Sequence, residues 1–201
     1  GMAATNSTIT VRSQINIADC YNTAAVSTGS PIASSSHYNA AGGIVGVSRT
    51  ADSSVVRCYN AGTITAGSSN SRYRSYAAGI CGYSIGGSYT DCFNVGTLTT
   101  SNTSTSYKSY LSGIRYNSGT VNNSCYYGKN CFAAGTSRYY TKSTSGSEIA
   151  DEAAVIEKIS TTNTFTATGH WKFSEDKLPG LTGCIAVSYT HLRAHETRSN
   201  L

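Results

Sequence analysis

Cys58-Tyr59-Asn60-Ala61-Gly62-Thr63-Ile64 is the stretch on which the reading of this chain turns. Its first three residues recur as Cys20-Tyr21-Asn22 and Cys92-Phe93-Asn94, with a weaker copy at Cys125-Tyr126-Tyr127, at spacings of 38, 34 and 33 residues. Six residues after the first three cysteines stands an aliphatic, Val26, Ile64 or Leu98, and in two copies a glycine, Gly62 or Gly96, lies between. Upstream is a second element, Gly43-Ile44-Val45-Gly46, repeated as Gly79-Ile80-Cys81-Gly82 and, degenerate, as Gly113-Ile114-Arg115-Tyr116. Ile9 precedes Cys20 by the same eleven residues that separate Ile114 from Cys125. Self-similarity at a near-constant period is the signature of a repeat architecture.

A unit of about 34 residues holds a few short strands and cannot bury its apolar side chains alone. Stacking such units lays each strand about 4.8 Å above its equivalent, so that like side chains pile on like. The expected fold is mainly β: a right-handed parallel β-helix, or solenoid, of about four repeats in residues 1–142, with units near 9–38, 39–72, 73–106 and 107–142. Cys20, Cys58, Cys92 and Cys125 are expected to form a buried structural ladder, acting as small hydrophobes. Glycine and asparagine are expected at the corners, where positive φ is cheap for them. The polar segments 27–38, 67–76 and 99–110 absorb the variation in spacing and are expected to project as loops.

Composition points the same way. Only 12% of the residues are charged, about half the usual share, and Gly, Ser, Thr, Asn and Tyr fill the gap. β-branched residues and tyrosine between turn formers favour strands over helices. Residues 1–147 carry ten Lys or Arg against three acids, too sparse for the dense basic patch that nucleic acid requires. No stretch approaches the roughly 20 apolar residues of a membrane span, and no secretion signal is present in this fragment.

The alternation of the Gly-Ile-x-Gly and Cys-Tyr-Asn-x-Gly-x-Ile elements resembles the GLUG-motif repeats of bacterial secreted and surface proteins, over roughly residues 9–141. The resemblance implies a parallel β-helix-like stack within a longer chain, extracellular or on the cell surface, in some cases as an accessory part of a secreted protease. The fourth unit departs from the pattern. Arg115-Tyr116 stands where the second glycine is expected, and Lys129 replaces the corner glycine.

Beyond the repeats, Ser147-Glu148-Ile149 is expected to open a helix reaching about Ser160, with Ile149, Ala153, Ile156 and Ile159 on one face. Phe165, Trp171, Phe173 and Leu178-Pro179-Gly180-Leu181 add a compact apolar set, so residues 143–186 read as a small α+β C-terminal cap over the last rung. Residues 187–197, VSYTHLRAHET, resemble a translated sequencing adapter, and 187–201 are read as a non-native tail. His191 and His195 are therefore set aside as metal ligands.

Little in the chain suits catalysis. Seven cysteines include no Cys-x-x-Cys pair, so no metal is expected, nor any cofactor; Cys125 and Cys131 are the best-spaced disulfide alternative. Glycan-cleaving enzymes need paired carboxylates, and the repeats offer only Asp19, Asp52 and Asp91. Asp19 and Asp91 each precede a ladder cysteine and Arg57 precedes the one between, which predicts a structural Asp-Arg-Asp column on the outer face. No nucleophile elbow or phosphate loop is present.

Tyr73-Arg74-Ser75-Tyr76 and Tyr107-Lys108-Ser109-Tyr110 recur at one offset before the Gly-Ile element, with His37-Tyr38 in the corresponding stretch of the preceding unit. Stacked, Tyr73, Arg74, Tyr76, Tyr107, Lys108 and Tyr110 would form a stripe of rings and cations suited to sugars with acidic groups. The functional expectation is a non-enzymatic structural or adhesive surface module whose partners are glycans or a surface protein of a host or bacterium. The alternative is a carbohydrate-active or accessory β-helix of a larger secreted enzyme.

Overall fold

The structure is a computed structural model that describes residues 14–28, 39–67, 74–102, 108–133, 140–143, 145–161, 163–174 and 177–182. Its residues pack as two units, 1–155 and 156–201. The first is mainly β, with parallel sheets. In chain order its strands are β1 (Asn16–Ala18), β2 (Tyr21–Asn22) and β3 (Val26–Ser27) from the first repeat of the sequence. The second repeat gives β4 (Asn39–Gly42), β5 (Val45–Ser48), β6 (Ser54–Val56), β7 (Tyr59–Asn60) and β8 (Ile64–Ala66). The third gives β9 (Ser75–Ala78), β10 (Cys81–Thr90), β11 (Phe93–Asn94) and β12 (Leu98–Thr100). From the fourth come β13 (Ser109–Ser112), β14 (Arg115–Val121) and β15 (Tyr126–Gly128), followed by β16 (Tyr140–Ser143) and β17 (Ser147–Ile149).

Strands that share a place in the repeat pair with one another. One sheet runs β1-β6-β10-β14, with β5 also on β10; the others run β2-β7-β11-β15-β17, β3-β8-β12 and β4-β9-β13-β16. Register is kept from layer to layer. Tyr21, Tyr59, Phe93 and Tyr126 lie in line, as do Val26, Ile64 and Leu98, with Phe132 bridging to Leu98. A third line is Ile17, Val55, Tyr89 and Val121. Each short strand gains its hydrogen bonds from its neighbours above and below, which is why segments of two or three residues persist as strands.

The core is the inside of this stack. Cys58, Cys92 and Cys125 are fully buried together with Ile64, Ile80, Leu98, Leu111 and Ile114, while Cys20 and Val26 in the first layer are only partly covered. Fully burying one such aliphatic contributes about 1.5–3 kcal/mol.

Asn22, Asn60 and Asn94 form a second ladder. The Asn22 amide donates to Asn60 Oδ1 and the Asn60 amide to Asn94 Oδ1, both at 2.8 Å. Each amide also closes a local turn: Asn60 Nδ2 donates to the Gly62 carbonyl at 2.8 Å and its Oδ1 accepts from the Gly62 N–H at 3.3 Å. Both donors and both acceptor positions of Asn60 are thus used, which is what a fully buried amide requires.

The motif glycines answer to space and not to corner geometry. Gly43, Gly62, Gly79 and Gly96 are not among the positive-φ residues; in the repeat turns those are Asp19, Arg57 and Asp91, at φ 55°, 51° and 51°. A Cβ on Gly43 would lie 2.5 Å from Asn60 Oδ1, and one on Gly79 would lie 2.4 Å from Asn94 Cβ. The two motifs of the repeat therefore pack face to face, glycine against asparagine. A Cβ on Gly62 would lie 2.0 Å from the Ala24 carbonyl. The first layer carries Ala24 itself at that place, and no described layer lies beneath it.

Two further expectations need correction. Ser147-Glu148-Ile149 does not open a helix; it forms β17, which pairs in parallel with Tyr126-Tyr127-Gly128. The helix α1 (Glu152–Thr161) starts later, where Asp151 Oδ1 caps the Ala154 N–H at 2.8 Å. Lys129 does not take a corner of the usual kind either, because Lys129–Cys131 is a single 3-10 turn.

The second unit holds the end of α1, a short helix α2 (Asn163–Thr166), and an antiparallel pair β18 (Trp171–Lys172) and β19 (Gly180–Leu181). Ile159, Phe165 and Leu178 are buried there, and the Phe165 and Trp171 rings lie 5.1 Å apart. Residues 187–201 lie outside the described residues.

The ladder predicts a graded response to isosteric substitution. Asn60→Asp turns two buried donors into acceptors facing other acceptors, and should lower the unfolding free energy by about 2 kcal/mol or more in urea titration. Asn22→Asp, on the half-buried first layer, should cost clearly less; equal costs at the two positions would contradict the ladder.

Candidate functional site: a tyrosine patch with Arg74

Strands β9 and β10 are joined at Gly79-Ile80, and β13 and β14 at Gly113-Ile114. Each pair presents one tyrosine from each arm, Tyr76 with Tyr83 and Tyr110 with Tyr116. Register brings Tyr76 over Tyr110, with ring centroids 5.3 Å apart and stacked. Tyr116 stacks on Tyr76 at 4.6 Å and lies 5.0 Å from Tyr110, while Tyr83 is 5.1 Å from Tyr76 and 6.3 Å from Tyr116. Offset and tilted pairs at these separations are the favoured aromatic geometries.

The patch is partly open. Tyr76 is 6% exposed and serves as its floor, whereas Tyr83, Tyr110 and Tyr116 are half-buried. Arg74 is exposed at the margin beside the Tyr76 phenol, whose proximity raises the guanidinium pKa further above its usual range. Burial raises the Tyr76 phenol, and Arg74 opposes that rise. Burial likewise raises Tyr116, reinforced by Tyr76 and Tyr110. Both phenols stay protonated at neutral pH and can donate as well as accept. Lys108 is half-buried immediately before β13.

The expected stripe is therefore found in part. Arg74, Tyr76 and Tyr110 come together; Tyr73, Tyr107 and the His37-Tyr38 pair lie outside the described residues. The feature is a patch of two repeats and not a stripe along the stack, because Ala40 and Thr141 occupy the register positions of Tyr76 and Tyr110 in the flanking layers. Tyr83 and Tyr116 were not read as site residues. Their signal is present in the sequence, since Tyr83 follows Gly82 and Tyr116 replaces that glycine's equivalent, but it takes the turns at Gly79-Ile80 and Gly113-Ile114 to bring them back onto Tyr76 and Tyr110.

The other candidate groups are held structurally. Arg57 binds Asp19 through Nε and Nη2 at 2.7 and 2.8 Å, a bidentate pair, and Asp91 adds its charge from the next layer. The column of alternating charge is present, although Asp91 is only 4% exposed and so does not lie on the outer face. Arg57 occupies a left-handed conformation that costs a non-glycine residue about 1–2 kcal/mol, and the pair with Asp19 offsets it. Glu148 is bound by Lys142 at 2.6 Å, and the same ammonium sits 4.5 Å above the Phe132 ring. Burial pushes the Tyr127 phenol, beside Glu148, up to about 12.

Cys125 and Cys131 are both free thiols, so the alternative disulfide is not formed. Burial raises the Cys131 thiol well above its ordinary range, so it keeps its proton. Cys20 and Cys58 are neighbours in the thiol ladder, and each thiol donates to a carbonyl of its own turn, Cys20 to Ala18 and Cys58 to Val56, both at 3.3 Å. The neighbouring Cys58 thiol lowers Cys20 to about 7, while Cys58 is raised by Cys20 and by burial. Among the described residues no group of three or more His, Cys, Asp or Glu is arranged to hold a metal ion. No helix among them is long and apolar enough to cross a membrane. No family model, curated protein or solved structure matches the chain.

Among the described cysteines only Cys20 is not buried. In a chain carrying Cys184→Ser, which removes the one cysteine outside the described residues, a soluble disulfide reagent should modify Cys20 fastest, with a rate midpoint near pH 7 and not near the ordinary 9. Cys20→Ser should remove that fast phase and leave the slow ones; a fast phase surviving in the variant would contradict the layer order.

Proposed function

We propose that the chain is a right-handed parallel β-solenoid module of the GLUG-motif kind, of about four repeats, with a structural and adhesive role on a cell surface or in a secreted protein. In this reading it binds acidic glycans through the patch of Tyr76, Tyr83, Tyr110 and Tyr116, with Arg74 and Lys108 as its cations. Three observations support the architecture: parallel pairing, register kept across layers, and the packing of Gly43 and Gly79 against Asn60 and Asn94. A right hand is the usual sense of parallel connections.

The observation that carries the binding reading is the convergence of four tyrosines and an exposed guanidinium on one surface. Tyrosine offers an apolar face with a polar tip, which suits the C–H faces and hydroxyls of a sugar ring. An arginine fork suits a carboxylate or sulfate on that sugar. Two of the carboxylates are bound to cations, Asp19 by Arg57 and Glu148 by Lys142, which favours holding a glycan over cutting it.

Binding to uronic-acid and sulfated oligosaccharides, read by glycan array and calorimetry, should weaken at least about tenfold in Arg74→Ala/Lys108→Ala, equivalent to about 1.4 kcal/mol. It should weaken comparably in Tyr116→Ala, and the charge variant should lose most of the salt dependence. Unchanged binding in both variants, or no binding by the parent chain, would remove the proposed role.

A further inference from the structure

The layer that follows β14 is incomplete. β16 pairs with β13 and β17 with β15, but no described strand pairs with the upper side of β14. Ser145 and Gly146 lead into β17, and Gly146, at φ 85°, is packed against Ile114 and the Cys125 carbonyl. The seven-residue β14 is thus the longest strand left with an open side at this end. An open side of that length is a template for a strand from another chain.

The backbone groups of β14 divide by direction. The Ile114 carbonyl, just before it, accepts from Ile80 and Cys81 in the layer below at 2.9 and 3.0 Å, and the Asn122 N–H, just after it, donates downward to Tyr89 at 3.0 Å. Alternation along a strand then turns the groups of Arg115, Asn117 and Gly119 to the open side. Each of their carbonyls is already taken. The Arg115 guanidinium donates to the Asn117 and Gly119 carbonyls of its own strand. The Arg115 carbonyl accepts from Ser112 and Ser145 hydroxyls at 2.6 and 2.7 Å, and the Arg115 N–H donates to Ser145 Oγ at 2.8 Å.

Arg115 stands at a position that the stack otherwise gives to the core. Register places it over Cys81, which lies over Val45, and both of those are buried. Burial depresses the guanidinium pKa, so a charge is held there at a cost. An inward-pointing charge on an edge strand is one of the known devices against edge-to-edge pairing.

We propose that Arg115, with Ser145, closes the upper edge of β14 to strand addition and so keeps this end of the stack from pairing with a second copy of the chain. The test is sedimentation of the full chain over a range of concentrations, alongside its β-sheet spectrum. The parent should remain monomeric. Arg115→Val restores the residue type of Val45 and should raise the average mass to twice the monomer or more while keeping the parent spectrum. Adding S118K, which places a lysine on the exposed face of the same strand, should return that variant to monomer through like-charge repulsion between paired edges. An Arg115→Val variant that stays monomeric with the parent spectrum would overturn the proposal. So would one that loses the spectrum or aggregates without rescue by S118K, because Arg115 would then serve folding and not edge closure.

Discussion

Each interior residue of this protein is covered chiefly by its own counterpart one layer away. That constraint, set by a strand spacing of about 4.8 Å, decides what may stand at each place in the repeat. Aliphatics over aliphatics and thiols over thiols satisfy it by contact. Asparagine satisfies it only because its amide can donate upward and accept from below while still closing its own turn, as Asn60 does. Charged residues without such a self-complementary arrangement enter the interior positions near the end of the stack, although Tyr89 stands inside it between Val55 and Val121.

The departures from the repeat follow from that rule. Ala24 takes the place of glycine where no described layer lies below, and Tyr127 stands in register with Asn94 where the amide ladder ends. Arg115 and Lys142 enter positions otherwise held by small or apolar residues, Val45 and Cys81 in one case and Ala41, Ala77 and Leu111 in the other. Both lie near the end of the stack, where a long side chain can lead its charge out to partners.

Much of the layering was legible in the sequence, because a ladder writes itself as recurrence. The Cys-Tyr-Asn triplets, the aliphatics six residues on, and the Asp-Arg-Asp alternation each fell into register. What recurrence does not encode is which groups meet within a layer. Conformational freedom explains Gly87, Gly119 and Gly146, which do take positive φ, as does Asn117, but not the motif glycines: Gly43 and Gly79 let Asn60 and Asn94 approach, and the positive-φ places before the ladder cysteines belong to aspartate and arginine. The sequence places the helix start too early because Glu148, Asp151 and Glu152 beside Ile149 are compatible with a first helical turn; an open strand position on β15 takes residues 147–149 instead. The tyrosine patch was half legible, since its second arm depends on the reversal at Gly79-Ile80 and not on sequence spacing.

The most direct measurement is of the side-chain amides themselves. In nuclear Overhauser spectra the Asn60 amide protons should show cross-peaks to those of both Asn22 and Asn94, and should exchange slowly with deuterated water. Asn60 amide signals that exchange at once and show no contact with either neighbour would mean that successive repeats do not lie in register, and the fold described above would be wrong.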